Sequence, residues 1–230
     1  MEFIELNEKK LTEARIKKIE SEKERLIKMQ RFEKPLYENG IKYIAGIDEV
    51  GRGPLAGPVV TCAMVLKPDV LIEGINDSKK VTEKNREQLF DIIINNCISY
   101  GIGMANEKVI DEINILNATK QAMCEALGNL DVTPQHLLID AVELGLNIPT
   151  TALIKGDAFS ISIASASIVA KVTRDRMMVA YDEIYPEYGF SKNKGYGTAE
   201  HIAALKKYGP CPIHRKTFIK GILGEWYNGY

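Results

Sequence analysis

The chain has 230 residues, of which 45% are hydrophobic and 7% aromatic, and its formal net charge is -1. This length can bury a full hydrophobic core, and the composition excludes a disordered or fibrous protein. The near-neutral charge shows no overall basic surface of the kind that binds phosphate, although a basic groove beside an acidic site would average to the same value. No stretch reaches the roughly 18–20 apolar residues of a membrane span.

The cysteines are scattered and none forms a C-x-x-C pair; they are Cys62, Cys97, Cys124 and Cys211. Dispersed cysteines without metal-ligand spacing are typical of small buried hydrophobic residues in a reducing compartment. Residues 1–6 lack a basic region followed by an apolar run, so no secretion signal is predicted. We therefore expect a cytoplasmic protein.

The first segment, up to about Lys34, is rich in Lys, Arg and Glu and contains neither Gly nor Pro. Its apolar residues recur at loosely helical intervals, which predicts one or two amphipathic helices. These helices could be a cap packed on the main domain or an arm that contacts nucleic acid or a partner. Residues 35–40 are predicted to be a linker. We therefore divide the chain into a charged helical extension, 1–38, and a main domain, 39–230.

The main domain begins with two segments rich in β-branched residues, 42–48 and 59–66, which predict strands on either side of a Gly- and Pro-rich connection. Thr82 is predicted to cap a helix that ends near Asn96. A third strand at 98–105, a helix at 107–127 and short strands at 136–140 and 151–155 follow. A long helix over 159–181 and a last amphipathic helix from about Thr198 complete the pattern. This order predicts an α/β or mixed α+β layer fold.

Carboxylates follow or end several of these strands. Asp48 and Glu49 are adjacent, and adjacent side chains on a strand point to opposite faces, so both can serve one metal site only if the strand ends or bends there. Gly51 and Gly53 permit such a bend. Asp140 closes an apolar strand, where a buried carboxylate is costly unless a cation or hydrogen bonds compensate it.

A fourth carboxylate has two candidates, Glu143 and Asp157. We favour Asp157, because it follows a second strand that ends at the same edge of the sheet. Like charges in close proximity must be offset, and Mg²⁺ or Mn²⁺ with oxygen ligands does this well. Several carboxylates without a His or Cys cluster suit two-metal hydrolysis of a phosphodiester, although the spacing alone does not separate this from a metal-dependent phosphatase.

More specific motifs lie around these carboxylates, and they resemble the ribonuclease HII family in order over residues 43–218. They are Gly46-Ile47-Asp48-Glu49-Val50-Gly51-Arg52-Gly53-Pro54-Leu55-Ala56-Gly57-Pro58, Asp77-Ser78-Lys79-Lys80, Leu138-Ile139-Asp140, Lys155-Gly156-Asp157, Ser165-Ala166-Ser167-Ile168-Val169-Ala170-Lys171-Val172-Thr173-Arg174-Asp175, Gly195-Tyr196-Gly197-Thr198 and His214-Arg215-Lys216-Thr217-Phe218. The last block has Thr217 where the family pattern has serine, and the N-terminal extension lies outside the resemblance.

The resemblance implies a ribonuclease H-like mixed five-stranded sheet flanked by helices, with the N-terminal helical extension and further C-terminal helices. It places two Mn²⁺ or Mg²⁺ ions on Asp48, Glu49, Asp140 and Asp157, the carboxylates that the strand pattern also selects. It assigns recognition of the ribonucleotide 2′-OH to backbone groups of Gly51, Arg52 and Gly53, where glycine permits close approach. It places Tyr196 against the deoxynucleotide sugar after the junction. Ser78, Lys79 and Lys80 are candidates to hold phosphates, whereas Lys171 and Arg174 are expected to be structural or to position backbone.

The activity that the resemblance implies is hydrolysis on the 5′ side of a ribonucleotide, leaving a 3′-OH and a 5′-phosphate. The substrates would be RNA/DNA hybrids and DNA duplexes with embedded ribonucleotides, including a single one, cut by a monomer. A ribonuclease HIII-like enzyme is the nearest alternative, but its N-terminal domain is larger and forms a sheet. A non-catalytic nucleic-acid-binding module would lack a carboxylate, and none is missing here.

Overall fold

The structure, a computed structural model, describes residues 13–140 and 142–224. The helical prediction for residues 1–12 and the last residues of the main domain, 225–230, therefore lie outside the described residues. The strands are β1 (Ile44–Val50), β2 (Val59–Leu66), β3 (Cys97–Ala105), β4 (His136–Asp140) and β5 (Thr150–Leu153). The described α-helices are α1 (Glu13–Met29), α2 (Glu33–Glu38), α3 (Glu83–Asn96), α4 (Glu107–Gly128), α5 (Ile161–Ile184), α6 (Phe190–Asn193), α7 (Ala199–Tyr208) and α8 (Lys216–Leu223).

The five strands form one mixed sheet in the order β3-β2-β1-β4-β5. The β1–β2 and β2–β3 pairs are antiparallel, whereas β1–β4 and β4–β5 are parallel. Side chains alternate between the two faces, so Met64 and Leu66 pack toward α1, α3 and α5, and Ala63 and Val65 pack toward α4. The predicted mixed five-stranded sheet with helices on both faces is confirmed.

Helix α5 lies across β1 and β2, and its first turns approach the sheet very closely. A Cβ atom built on Gly46 of β1 would lie 2.3 Å from the carbonyl carbon of Ser162, so only glycine fits there. Ser160 caps the helix, because its side chain accepts a hydrogen bond from the Ile163 N–H at 3.2 Å. The small residues at the start of α5 thus bring the helix against the edge of the sheet where β1 and β4 end.

The N-terminal helices contact the main domain. Leu26 and Met29 of α1 are buried in the same hydrophobic cluster as residues of α3 and α5. Arg25 Nη2 donates to the Ile75 carbonyl at 2.7 Å, and Gln30 Nε2 donates to the Val70 carbonyl at 2.8 Å. The boundary between 1–38 and 39–230 stays a prediction. None of the helices within the described ranges is long and apolar enough to cross a membrane.

Three predicted elements differ from the structure. The predicted linker at 35–40 is mostly helix α2, because Pro35 lies in its first turn, where a missing N–H costs nothing. Strand β1 continues through Val50 instead of ending at Asp48. Strand β5 ends at Leu153, because the backbone of Lys155 is left-handed with φ 58°.

Candidate active site

Asp48 and Asp140 are neighbours on adjacent parallel strands. The β1–β4 pairing ends with Ile47 opposite Ile139, and both of these side chains face α4. The next residue on each strand therefore faces α5, which places the two carboxylates side by side at about 4.8 Å between backbones. The register of the parallel pair thus brings together two of the predicted metal ligands.

Glu49 lies on the opposite face of β1, because the strand does not bend after Asp48. The bend that Gly51 and Gly53 permit comes only after Val50, and the pairing of Glu49 with Thr61 of β2 maintains the alternation. Arg52 Nη1 lies 3.3 Å from Glu49 Oε1. The other oxygen, Oε2, is buried and has no hydrogen-bond partner within residues 13–140 and 142–224. Glu49 thus retains one carboxylate oxygen that nothing in the described chain neutralises.

Asp157 lies on a short 3₁₀ helix, Gly156–Ala158, directly after β5. The Gly156 N–H donates to Asp140 Oδ1 at 3.0 Å, which ties this helix to the end of β4. The side chain of Asp157 is hydrogen-bonded to that of Asp77. Asp77 stands in a quoted motif but was not among the predicted site residues, since only the fold brings it to Asp157.

The carboxylates interact electrostatically, with Asp140 as their common neighbour. Burial raises the pKa of Asp48 well above its usual range, and the charges of Glu49 and Asp140 raise it further. Burial is also the main cause that raises the pKa of Glu49 and of Asp157, and the charge of Asp140 adds to both. Beside the larger effect of burial, the charge of Asp140 thus acts on the carboxylates of β1 and on the one that follows β5.

The donor set fits a divalent cation, because hard ions prefer carboxylate oxygens and Glu49 Oε2 is buried without a partner. The side chains do not yet form a coordination sphere. Within residues 13–140 and 142–224, no three Asp, Glu, His or Cys side chains are arranged to hold one ion. Glu49 faces away from Asp48, and Asp157 is turned to Asp77. The predicted carboxylates therefore interact electrostatically, but their side chains are not arranged around a common ion position.

The 78–80 segment lies next to these carboxylates. Ser78 is buried, and its hydroxyl lies 2.9 Å from the Ser167 hydroxyl of α5. Ser167 in turn is hydrogen-bonded to Asp48. Lys79 and Lys80 are exposed, and the charge of Lys79 lowers the pKa of Asp157 against the larger effect of burial. Both lysines are thus accessible to a phosphate, with Lys80 Nζ 3.9 Å from Asp77 Oδ2, whereas Ser78 lies inside the protein.

Gly51, Arg52 and Gly53 form a turn, which we call the 51–53 turn. Buried arginines contact it from the protein interior. Gly51 has φ +94°, and a Cβ atom there would lie 2.3 Å from Arg174 Nε. Arg215 Nη1 donates to the Arg52 carbonyl at 2.9 Å, and Nη2 of the same side chain donates to the Gly51 carbonyl. Sequence reasoning missed Arg215, because a fully buried arginine in a C-terminal block gives no local sign of its partner.

Tyr196 lies beside the 51–53 turn. Its side chain is 43% exposed, and a Cβ atom built on Gly53 would lie 3.8 Å from its Cε1 atom. Two bonds fix the tyrosine's own loop: the Leu55 N–H donates to the Gly195 carbonyl at 2.8 Å, and Arg174 Nη1 donates to the Lys194 carbonyl at 2.8 Å. Arg174 therefore positions backbone, as predicted, and the turn and Tyr196 share one surface.

A mixed sheet in this order, with carboxylates at the ends of its first and fourth strands, defines the ribonuclease H-like class. The model of the Ribonuclease HII family matches residues 45–221. Ribonuclease HII of Acetivibrio thermocellus is 58% identical over 210 residues, covering 90% of this chain and 82% of the relative. Ribonuclease HII of Clostridioides difficile is 51% identical over 234 residues, covering 97% and 92%.

Among solved structures, ribonuclease H2 from Pyrococcus horikoshii superposes with a TM-score of 0.67 at 29% identity, covering 82% of this chain and 100% of that one. The chain belongs to the ribonuclease HII family. This confirms the resemblance drawn from the motifs and favours type HII over the HIII-like alternative. Family membership also supports ribonuclease H activity, so the chain is a nuclease and a hydrolase.

Proposed function

We propose that the chain is a metal-dependent endoribonuclease that acts on RNA/DNA hybrids and RNA–DNA junctions, including single embedded ribonucleotides. It hydrolyses the phosphodiester on the 5′ side of the ribonucleotide and leaves a 3′-OH and a 5′-phosphate. The observation that carries this proposal is the position of Asp140, which couples electrostatically to Asp48, Glu49 and Asp157. Such a concentration of negative charge at one strand edge suits divalent-ion chemistry on a phosphodiester.

Asp48, Glu49, Asp140 and Asp157 would hold two Mn²⁺ or Mg²⁺ ions. When bound, these ions supply an activated water and stabilise the leaving 3′-oxygen. Glu49 offers Oε2, its unpartnered oxygen, and Asp48 is oriented by its bond to Ser167. Asp157 would exchange its bond to Asp77 for a place in this set.

The 51–53 turn and Tyr196 would recognise the junction. Gly51, Arg52 and Gly53 present backbone to the ribonucleotide 2′-OH, since no Cβ atom stands in the way at either glycine. The exposed ring of Tyr196 would pack on the sugar of the following deoxynucleotide. A Cβ atom built on Gly53 would lie 3.8 Å from Tyr196 Cε1, so the turn and the ring would face the same stretch of a bound strand.

The exposed Lys79 and Lys80 would contact phosphates as point charges, and the buried Ser78 would set the orientation of their segment through Ser167. We further propose that the chain acts as a cytoplasmic monomer whose partner is the nucleic-acid duplex. Light scattering of the purified protein tests the monomer, and a dimer mass at micromolar concentration would contradict it.

The substrate proposal is tested with a DNA duplex that holds one ribonucleotide and with a duplex that holds a long RNA tract. We expect both to be cut in Mn²⁺ or Mg²⁺ and neither in excess chelator. End-labelling should show a 3′-OH on the upstream product and a 5′-phosphate on the downstream product. Cleavage of the long tract alone would contradict recognition of single ribonucleotides, and cleavage in chelator would contradict metal dependence.

The role of the carboxylates is tested by Asp140→Asn, with Glu143→Gln as its matched control. Asn can still accept the bond from the Gly156 N–H, so the fold is retained while one charge is removed. We expect kcat to fall by roughly 1000-fold or more in Asp140→Asn. Glu143 is exposed three residues away, and Glu143→Gln should leave kcat unchanged. Near-normal turnover of Asp140→Asn would remove the central ligand from the proposal.

A further inference from the structure

A buried group of polar rings lies behind Tyr196, and the proposed hydrolysis uses none of it. His201 of α7 and His214 are both buried, and their Nε2 atoms lie 3.0 Å apart. His201 Nδ1 lies 2.8 Å from the Tyr196 carbonyl oxygen. Cys211 N lies 3.0 Å from His214 Nδ1. We call this series, from Cys211 through His214 and His201 to the Tyr196 carbonyl, the histidine relay.

The partners at the two ends of the histidine relay determine the proton positions. A carbonyl oxygen can only accept, so His201 Nδ1 carries the proton and His201 Nε2 is an acceptor. His201 Nε2 can then accept only from a protonated His214 Nε2, which leaves Nδ1 of a neutral His214 unprotonated. This Nδ1 accepts from the Cys211 N–H at 3.0 Å, and it also lies 3.1 Å from Cys211 Sγ and 3.3 Å from the Cys211 carbonyl oxygen. The contact between the two imidazoles is therefore a hydrogen bond from His214 Nε2–H to His201 Nε2. Every polar atom of both rings is satisfied with both rings neutral.

Aromatic rings enclose the two imidazoles. Tyr188 and Phe190 stack with ring centroids 5.4 Å apart. Each contacts both imidazoles, and the shortest centroid distances are 4.9 Å from Tyr188 to His214 and 5.3 Å from Phe190 to His201. Burial lowers the pKa of His214 to about 4, and the charge of His201 contributes in the same direction. A second proton on either ring would also set two N–H groups against each other, so the geometry and the surroundings both favour the neutral pair.

The histidine relay ends on the backbone of Tyr196, the residue placed at the junction. The Tyr196 carbonyl also accepts from the Thr198 N–H at 2.8 Å, and the Tyr196 N–H donates to the Asn193 carbonyl at 2.9 Å. These local bonds shape the turn. His201 contacts Tyr196 itself, whereas Leu55 and Arg174 bond to the carbonyls of the two residues before it. The same C-terminal segment pairs with the loop after the 51–53 turn through the His214–Ala56 bridge.

We propose that His201 and His214 are positioning residues for junction recognition, which hold Tyr196 at a set distance from the 51–53 turn. The inference rests on the proposed role of Tyr196. Neither histidine is among the predicted site residues. Their proposed role is to keep the 51–53 turn and Tyr196 at a fixed relative position. Because the relay is one chain of hydrogen bonds, loss of its last bond should matter more to the junction than loss of its middle bond.

Two substitutions at one position separate these bonds. In His201→Asn, the amide nitrogen replaces Nδ1 and keeps the bond to Tyr196 but loses the bond from His214. In His201→Gln, the amide oxygen replaces Nε2 and keeps the bond from His214 but loses the bond to Tyr196. Both variants remove the same ring from the same aromatic enclosure, so their losses of stability should match.

The measurement is the ratio of kcat/KM on a single-ribonucleotide duplex to kcat/KM on a long RNA/DNA hybrid. We expect this ratio to fall about fivefold in His201→Gln, the effect of one lost hydrogen bond, and to stay within about twofold of wild type in His201→Asn. Tyr196→Ala is measured alongside. If Tyr196→Ala lowers the ratio while the two His201 variants remain equal to each other, the positioning role is overturned.

A different result would identify a failure of the proposed function. If Tyr196→Ala leaves the ratio unchanged, the junction role of Tyr196 is wrong. Whether the histidine relay holds the Tyr196 loop is then tested by hydrogen exchange of the Tyr196 amide. Faster exchange in His201→Gln than in His201→Asn supports a relay that holds this loop, and equal exchange overturns it.

Nitrogen NMR of the wild-type protein gives a test that needs no variant. The chain has three histidines, and the histidine relay requires the Nδ1–H form of His201 and the Nε2–H form of His214 at neutral pH. Observation of the reverse forms, or of a charged ring at pH 7, would overturn the proposal even if both variants failed to fold.

Discussion

The acidic strand ends and the loops proposed to recognise the junction lie side by side, yet they are built in opposite ways. At the ends of β1 and β4, burial raises the pKa of Asp48 and of Glu49 and the charge of Asp140 adds to both, while Glu49 Oε2 has no hydrogen-bond partner among the described residues. In the loops around the 51–53 turn and Tyr196, two buried arginines and the histidine relay satisfy backbone carbonyls with short hydrogen bonds. The strand ends carry negative charge that the protein does not fully compensate, whereas the loops are fixed by several hydrogen bonds.

This contrast separates the tasks of the two regions. A site that binds cations gains affinity from charge that the protein leaves uncompensated, at a cost in stability of the free chain. Loops that measure the distance between neighbouring nucleotides need a fixed backbone, which buried polar bonds supply. Substitutions should therefore act with opposite sign in the two regions: removal of charge should stabilise the first, and removal of a donor should destabilise the second.

The largest expected effect on stability is that of Arg215→Met. Arg215 is fully buried and donates to the carbonyls of Gly51, Arg52 and Gly57. Methionine fills the space but leaves these acceptors unpaired, so we expect the free energy of unfolding to fall by about 3–5 kcal/mol in urea titration. Arg176→Met is the control, because Arg176 is half-exposed and pairs with Glu87 at the surface, and it should cost about 0–1 kcal/mol. Equal losses would contradict a special role for Arg215.

A second effect concerns pH and His214. The folded pKa of about 4 lies below the usual 6.5, so the neutral ring is the native form and its contribution is fully present above pH 6.5. It is lost as pH falls from there through about 4. The stability advantage of wild type over His214→Gln should therefore shrink on acidification by on the order of 2–3 kcal/mol. A constant difference between pH 7 and pH 4 would show that His214 is not held neutral.

The smallest effect is that of Asp140→Asn on stability. In chelator, the variant should be more stable than wild type by about 1 kcal/mol, because a charge that raises three neighbouring pKa values is gone. In Mn²⁺, wild type should gain melting temperature and the variant should not. Thermal unfolding in both buffers measures this. A variant less stable than wild type in chelator would show that the carboxylates do not repel one another.

Local patterns predicted the elements of the fold well. Strands β2 and β4 lie where their β-branched and apolar runs predicted, and Thr82 caps α3 through the Asn85 N–H. The carboxylate pair was harder. The two glycines after Asp48 permitted a bend, whereas pairing with β2 keeps the strand extended through Val50. Long-range pairing overrides the local preference, and no single stretch of sequence contains that information.

The same limit applies to the supports of the candidate site. Asp48, Glu49, Asp140 and Asp157 could be selected because each stands at or beside a predicted strand end. Asp77, Ser167 and Arg215 could not be assigned their contacts, because each meets a partner at least 80 residues away in the chain. Their types alone, an acid, a hydroxyl and a base in polar motifs, are equally typical of solvated surface.

Helix α5 carries both Ser167 and Arg174, and its first turn rests on an acid from the N-terminal extension. Glu33 is buried, and its Oε1 accepts from the Ser160 hydroxyl and from the Ser162 N–H at 3.1 Å. A helix moves as a rigid body. The contacts that fix its amino-terminal end therefore also fix the positions of Ser167 and Arg174, about two and four turns further along. A truncation that removes Glu33 would thus disturb catalysis from a distance, whereas one that stops short of it would spare the alignment of the carboxylate and the loop.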